Sequence, residues 1–103
     1  MSDIQMIETV TFRLKDGTDP AVLRARAEDL EAYFAACTGY LGRVLYQQAD
    51  GQWIDQISWA DEASMRACDA GFRAHPAAAP YMALVADGSV HMHHTAALLS
   101  RAA

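Results

Sequence analysis

The stretch LGRVLYQQADGQWIDQISW, residues 41–59, decides the fold. Two runs rich in β-branched and aromatic residues flank Asp50-Gly51, and an Asp-Gly pair is among the strongest short hairpin signals. A two-residue type I′ turn at that pair needs positive φ at both central positions. It also fixes a register, with Gln48 opposite Trp53, Tyr46 opposite Asp55, Val44 opposite Ile57 and Gly42 opposite Trp59. On that register one face of the hairpin is aromatic and aliphatic and carries a single carboxylate, Asp55, beside a phenol, Tyr46. This composition suits a pocket wall better than a plain core.

Outward from the hairpin, the pattern is regular. Residues 4–14 are dense in β-branched side chains and read as a strand, with Met6, Glu8, Val10, Phe12 and Leu14 sharing one face. A helix begins at Thr18 or Asp19, where Pro20 occupies a first-turn position, and Gly39 is its stop. Its core stripe is Leu23, Ala27, Leu30 and Phe34. After the hairpin, Asp61 opens a second helix with Met65, Cys68 and Phe72 as its stripe, and His75-Pro76 breaks it. A short helix follows over 77–85. The last strand, about residues 89–97, puts Val90, Met92, His94 and Ala96 on one face and His91, His93 and Thr95 on the other. The order strand, helix, strand, strand, helix, strand is the split β-α-β-β-α-β unit of a ferredoxin-like α+β sandwich.

The 103 residues leave room for one domain spanning 1–103. With 52% hydrophobic and 20% charged residues the chain is globular in character. A net charge of −5, with eight scattered Lys and Arg, argues against nucleic acid as a partner. No run approaches the roughly 20 apolar residues of a membrane span, and no signal peptide is visible at the N-terminus. Cys37 and Cys68 sit on separate helices and read as two reduced thiols, so a cytoplasmic location is expected. One layer of helices leaves the second sheet face bare. Leu41, Leu45, Ile54 and Ile7 fall there among polar residues, a mixture that suits a homodimer interface.

The opening run IETVTFRLKDG (7–17), the segment Trp53 to Trp59 leading into a helix, and Phe72-Arg-Ala-His-Pro76 together resemble the dimeric α/β-barrel superfamily, in its antibiotic-biosynthesis-monooxygenase-like branch. The resemblance runs from Met6 to about Leu98. It implies two sheets paired face to face as a barrel, with a cavity between sheet and helices in each subunit. It also implies one of several activities, among them cofactor-free oxygenation of polycyclic phenols, haem degradation and isomerisation. Haem-degrading members use an Asn on the first strand and a Trp and a His on the second helix. Here the strand offers Thr9 or Thr11, Cys68 stands at the Trp position, and only His75 matches, so that activity is rejected. Phenol oxygenases use Asn, Trp, Tyr and Arg. This chain has no Asn, while Trp59, Tyr46 and Arg43 are of suitable types, although the type I′ register turns Arg43 to the other face.

The catalytic candidates are therefore His75, Asp55 and Tyr46, with Trp59, Trp53 and Phe72 as substrate-binding surface. An imidazole and a carboxylate on opposite walls of one apolar cavity can accept and shuttle a substrate proton. Each has a plainer reading: His75 as a helix cap, Asp55 satisfied by Tyr46, and the two Trp as core. His91 and His93 share a face at strand spacing, but two ligands fall short of a metal site and His94 points away from them. A third ligand would have to come from elsewhere, and no metal is expected. No phosphate-binding glycine loop and no nucleophile elbow is present, so no cofactor is expected either. The expected function is cofactor-independent monooxygenation or isomerisation of a small aromatic or polyketide-like substrate. The alternative is a non-catalytic ligand-binding or stress-associated homodimer.

Overall fold

A computed structural model describes residues 3–101. Strand β1 (Met6–Phe12) leads to helices α1 (Pro20–Asp29) and α2 (Glu31–Ala36), then β2 (Tyr40–Gln47), β3 (Trp53–Trp59), α3 (Glu62–Phe72), the short α4 (Ala78–Met82) and β4 (His91–Ala96). The sheet order is β2-β3-β1-β4, every neighbouring pair antiparallel. This is the ferredoxin-like arrangement expected from the element order. Side-chain caps set the helix starts: Asp19 Oδ1 accepts the Ala21 N–H at 2.9 Å and Asp61 Oδ1 accepts the Ser64 N–H at 2.7 Å.

The first helix differs from expectation in one respect that matters later. It is broken at Leu30, whose N–H reaches back to Ala27 O at 3.2 Å in a tighter turn before α2 resumes. The carbonyl of Ala27 is thereby open to a side chain from the sheet.

The hairpin register also differs from expectation, by one residue. Gly51 alone has positive φ (+90°), and Asp50 does not. The Gly51 N–H donates to Gln48 O at 2.9 Å and the Gln48 N–H to Gln52 O at 2.8 Å, so the loop is three residues, Ala49-Asp50-Gly51. That is the pattern of a turn closed by a left-handed glycine bulge. Gln47 then pairs with Trp53, Tyr46 with Ile54, Leu45 with Asp55, Val44 with Gln56 and Arg43 with Ile57. Because side chains alternate, a slip of one turns the whole of β2 over. Arg43 and Leu45 face the helices, while Val44 and Tyr46 face away. A bulge at Leu41 restores phase, so that Tyr40 opposes Trp59 and packs against its indole edge-on at 5.8 Å.

Between sheet and helices lies a core built on Phe12, Leu23, Leu30, Ile57, Trp59 and Met65. Phe72 and Leu45 pack against its margin. Leu45 is therefore a core residue, and the opposite sheet face carries instead Ile7, Val44, Tyr46 and Ile54. Val44 is 59% exposed on that face. Cys37 and Cys68 are both unpaired thiols, as expected. Among the described residues no helix is long and apolar enough to cross a membrane.

Candidate active site

A cavity of about 660 Å³ opens between the inner sheet face and α2, α3 and α4, and two polar clusters reach into it. The first is centred on Asp55, 4% exposed. Arg43 grips it with two parallel hydrogen bonds, Nε to Oδ1 at 2.8 Å and Nη2 to Oδ2 at 2.7 Å. The same guanidinium donates through Nη1 to Ala27 O at 2.9 Å, the carbonyl opened by the break after α1, and to Glu31 Oε1 at 3.0 Å. It lies over the Phe34 ring at 4.9 Å. Burial works against this charge, but the hydrogen bonds and charge of Asp55 more than offset it and push the Arg43 pKa above its ordinary value. Tyr81 completes the cluster by donating its hydroxyl to Asp55 Oδ2 at 2.8 Å. Burial, and then the charge of Asp55, hold that phenol far above its usual titration range, so it remains a donor.

The second cluster lies across the inner face. Glu8, on β1, is 2% exposed, and its Oε2 stands 2.9 Å from His94 Nε2 on the neighbouring β4. Asp69 on α3 brings Oδ2 to 3.4 Å from the same nitrogen. Burial pushes the Glu8 carboxyl up to about 8, and the hydrogen bond and charge of Asp69 add to the shift. Glu8 thus holds its proton at neutral pH. Because its folded pKa is raised above the ordinary 4.5, its contribution to stability is complete below that value and is lost as pH rises through about 8. Glu8→Gln is therefore expected to flatten the fall in stability between pH 5 and pH 8, which has a limiting slope of about 1.4 kcal/mol per pH unit in the parent. Urea titrations at both pH values check this, and parallel losses in parent and variant would refute it.

The residues singled out from the sequence are distributed unevenly. Asp55 and Phe72 line the cavity. Tyr46 does not accompany Asp55: the one-residue register change puts it on the opposite sheet face, and the phenol that meets the carboxylate is Tyr81. His75 also lies outside the cavity lining. Its Nδ1 accepts the Ala77 N–H at 3.1 Å ahead of α4, and its ring packs against Tyr33 at 5.1 Å. Trp59 is fully buried core. Trp53 lines a separate shallow groove with Pro20, Arg24 and Leu45. Glu8, Asp69, His94 and Tyr81 were missed as site residues, while Arg43 was of suitable type but was turned to the other face by the two-residue register. Glu8 had a signal, a lone carboxylate among Met6, Val10 and Phe12 on an inward strand face. His94 shared the inward face of its own strand. Asp69 and Tyr81 carried no comparable mark.

No family model matches the sequence, and no curated protein matches it either. The fold, by contrast, has clear counterparts. A mutant of SnoaB, a cofactor-independent oxygenase from Streptomyces nogalater, superposes with a TM-score of 0.76 at 18% identity, over 93% of this chain and 95% of that one. The ActVA-Orf6 monooxygenase of Streptomyces coelicolor, in complex with nanaomycin D, gives 0.70 at 16% identity over 97% and 93%. NE2512 from Nitrosomonas europaea, a protein of unknown function, gives 0.69 at 15% over 100% and 98%. The chain therefore shares its fold with these proteins, among them two oxygenases, as the resemblance in the sequence led one to expect.

Proposed function

We propose that this protein is a monooxygenase that oxidises a phenolic or enolic polycyclic substrate without an organic cofactor. The observation that carries the reading is the cavity itself, large enough for a flat multi-ring molecule and flanked by a proton-handling cluster and an Arg-centred cluster. Two of the proteins sharing its fold are named as oxygenases, one of them in complex with nanaomycin D.

In such a reaction the substrate supplies the electrons. Removal of a proton from a CH₂ group activated by a neighbouring phenol or carbonyl gives an anion electron-rich enough to reduce dioxygen. The net change is R₂CH₂ + O₂ → R₂C=O + H₂O. The site must accept the first proton, favour the anion and exclude bulk water. Asp69, whose carboxylate lines the cavity, is placed to take the proton and pass it to His94 behind it, 3.4 Å away. The Arg43–Asp55–Tyr81 cluster supplies fixed dipoles and a buried positive charge at the opposite wall, where charge develops. Asp55 thus holds Arg43 in place instead of acting as the base, and Phe72 offers an aromatic edge to the ligand.

Air-dependent conversion of an anthrone to its quinone, followed by absorbance, tests the reading. His94→Ala should lower turnover about 10²–10⁴-fold while leaving the circular dichroism unchanged. No conversion of any such substrate by the parent protein, or full activity in the variant, would sink it.

The working form is proposed to be a homodimer through the outer sheet face. Val44 and Tyr46 are exposed there beside Ile7 and the already buried Ile54, and one layer of helices cannot cover them. Light scattering should give twice the chain mass of 11.2 kDa, and Val44→Glu should shift the protein to the single mass. A stable monomer at micromolar concentration in the parent would rule this out.

A further inference from the structure

We infer that Glu8, Asp69 and His94 form a binding site for a divalent transition-metal ion, one per chain, in the wall of the cavity. Three elements meet to build it: Glu8 from β1, His94 from the edge strand β4 and Asp69 from α3. Their ligand atoms lie within 4.8 Å of one another. Donors held by one ion at about 2.1 Å stand roughly 3–3.5 Å apart. His94 Nε2 is 2.9 Å from Glu8 Oε2 and 3.4 Å from Asp69 Oδ2, so the spacing is preformed around that nitrogen.

The charges point the same way. Two carboxylates facing each other, one of them almost wholly buried, lack any Lys or Arg among the partners recorded for them. A cation between them would supply the positive partner that no Lys or Arg gives them. A second observation comes from the indole beside the Glu8 carboxyl. Trp59 is completely buried, yet its Nε1–H has no hydrogen-bond partner. Trp59 pairs with Met6, two residues from Glu8 along β1, and shares the inward face with it. Its indole lies close enough to interact with the Glu8 carboxyl. An orphan donor in the floor of a polar site is suited to a water carried by the ion, or to the carboxylate oxygen that the ion leaves free.

One imidazole and two carboxylates suit Zn²⁺, Mn²⁺, Fe²⁺ or Co²⁺ better than Ca²⁺, which prefers oxygen ligands alone, or copper(I), which prefers thiolates. Three protein ligands leave positions open toward the cavity, where a chelating phenol or enol could enter. His91 and His93 take no part, since they lie on the opposite sheet face. The inference goes beyond the oxygenase reading: an ion on His94 Nε2 would take the nitrogen which that reading gives to the proton, so the two are alternative uses of one cluster, and binding is measured without substrate.

The test titrates the full chain with Co²⁺ and follows its visible absorption, with Zn²⁺ as competitor and equilibrium dialysis for stoichiometry. One ion per chain is expected, with at least about tenfold weaker binding in His94→Ala and in Asp69→Asn. Both of those side chains are about one-third exposed, so the fold should tolerate either change. A His91→Ala/His93→Ala double variant should bind as the parent does. Absence of binding up to about 1 mM overturns the proposal. So does binding that survives His94→Ala and disappears with His91 and His93.

Discussion

Replacing Arg43 by alanine is expected to destabilise the fold by about 3–5 kcal/mol, the usual consequence of leaving one member of a buried ion pair behind. Asp55 would keep only the Tyr81 hydroxyl, in a site where its side chain is 6% exposed. The Ala27 carbonyl would lose its side-chain donor at the helix break, and Phe34 the cation above its ring. Arg43→Lys should recover little, because an ammonium cannot reproduce the two parallel bonds. The double variant Arg43→Met/Asp55→Leu should recover much of the loss, since replacing both charges removes the desolvation cost as well as the attraction. Urea unfolding of the four proteins separates these outcomes. An Arg43→Ala variant within about 1 kcal/mol of the parent would show that the pair is not buried in solution.

Trp59→Ala is expected to cost a similar 3–5 kcal/mol, through lost burial and the cavity that a removed indole leaves. Trp59 is 0% exposed at the end of β3, with Tyr40 against its face and Met65 in the same core cluster. Trp59→Phe should cost much less. It keeps most of the aromatic area and removes an N–H that already lacks a partner, so no hydrogen bond is lost. Thermal unfolding of both variants checks the pair of values. Equal losses would mean that the indole nitrogen does find a partner in the folded protein, and no loss in either would mean that Trp59 is not core.

The two variants probe opposite ends of what could be read from the chain. Trp59 was legible: it closes a strand ahead of a capped helix, and its inward phase followed from the alternation of Trp53, Asp55 and Ile57. Arg43 was not, because its face depended on the turn. Asp50-Gly51 is compatible with a two-residue turn and with a three-residue loop in which only the glycine takes positive φ. Local preference does not distinguish them. What does is that the second option buries Leu45 and lets Arg43 reach Asp55, the Ala27 carbonyl and Glu31 together. Those partners are 12 to 16 residues away in sequence, beyond the range of any local pattern.

The sequence by itself determined the element order, the antiparallel ferredoxin-like sheet, the cap at Asp61, the first cap to within Thr18 or Asp19, and the inward placement of Glu8, Phe12 and Asp55. All of these follow from periodicity and turn chemistry, which act over a few residues. Tertiary structure alone decided the β2 register, the break at Leu30 and the membership of both polar clusters. It joined Glu8 to His94 across a β1–β4 pairing 86 residues apart and brought Asp69 to them from a helix. It gave Asp55 the phenol of Tyr81 in place of Tyr46. The physical reason is that a side chain's face is local information, whereas its partner is chosen by which elements pack together and by the need to satisfy every buried charge at once.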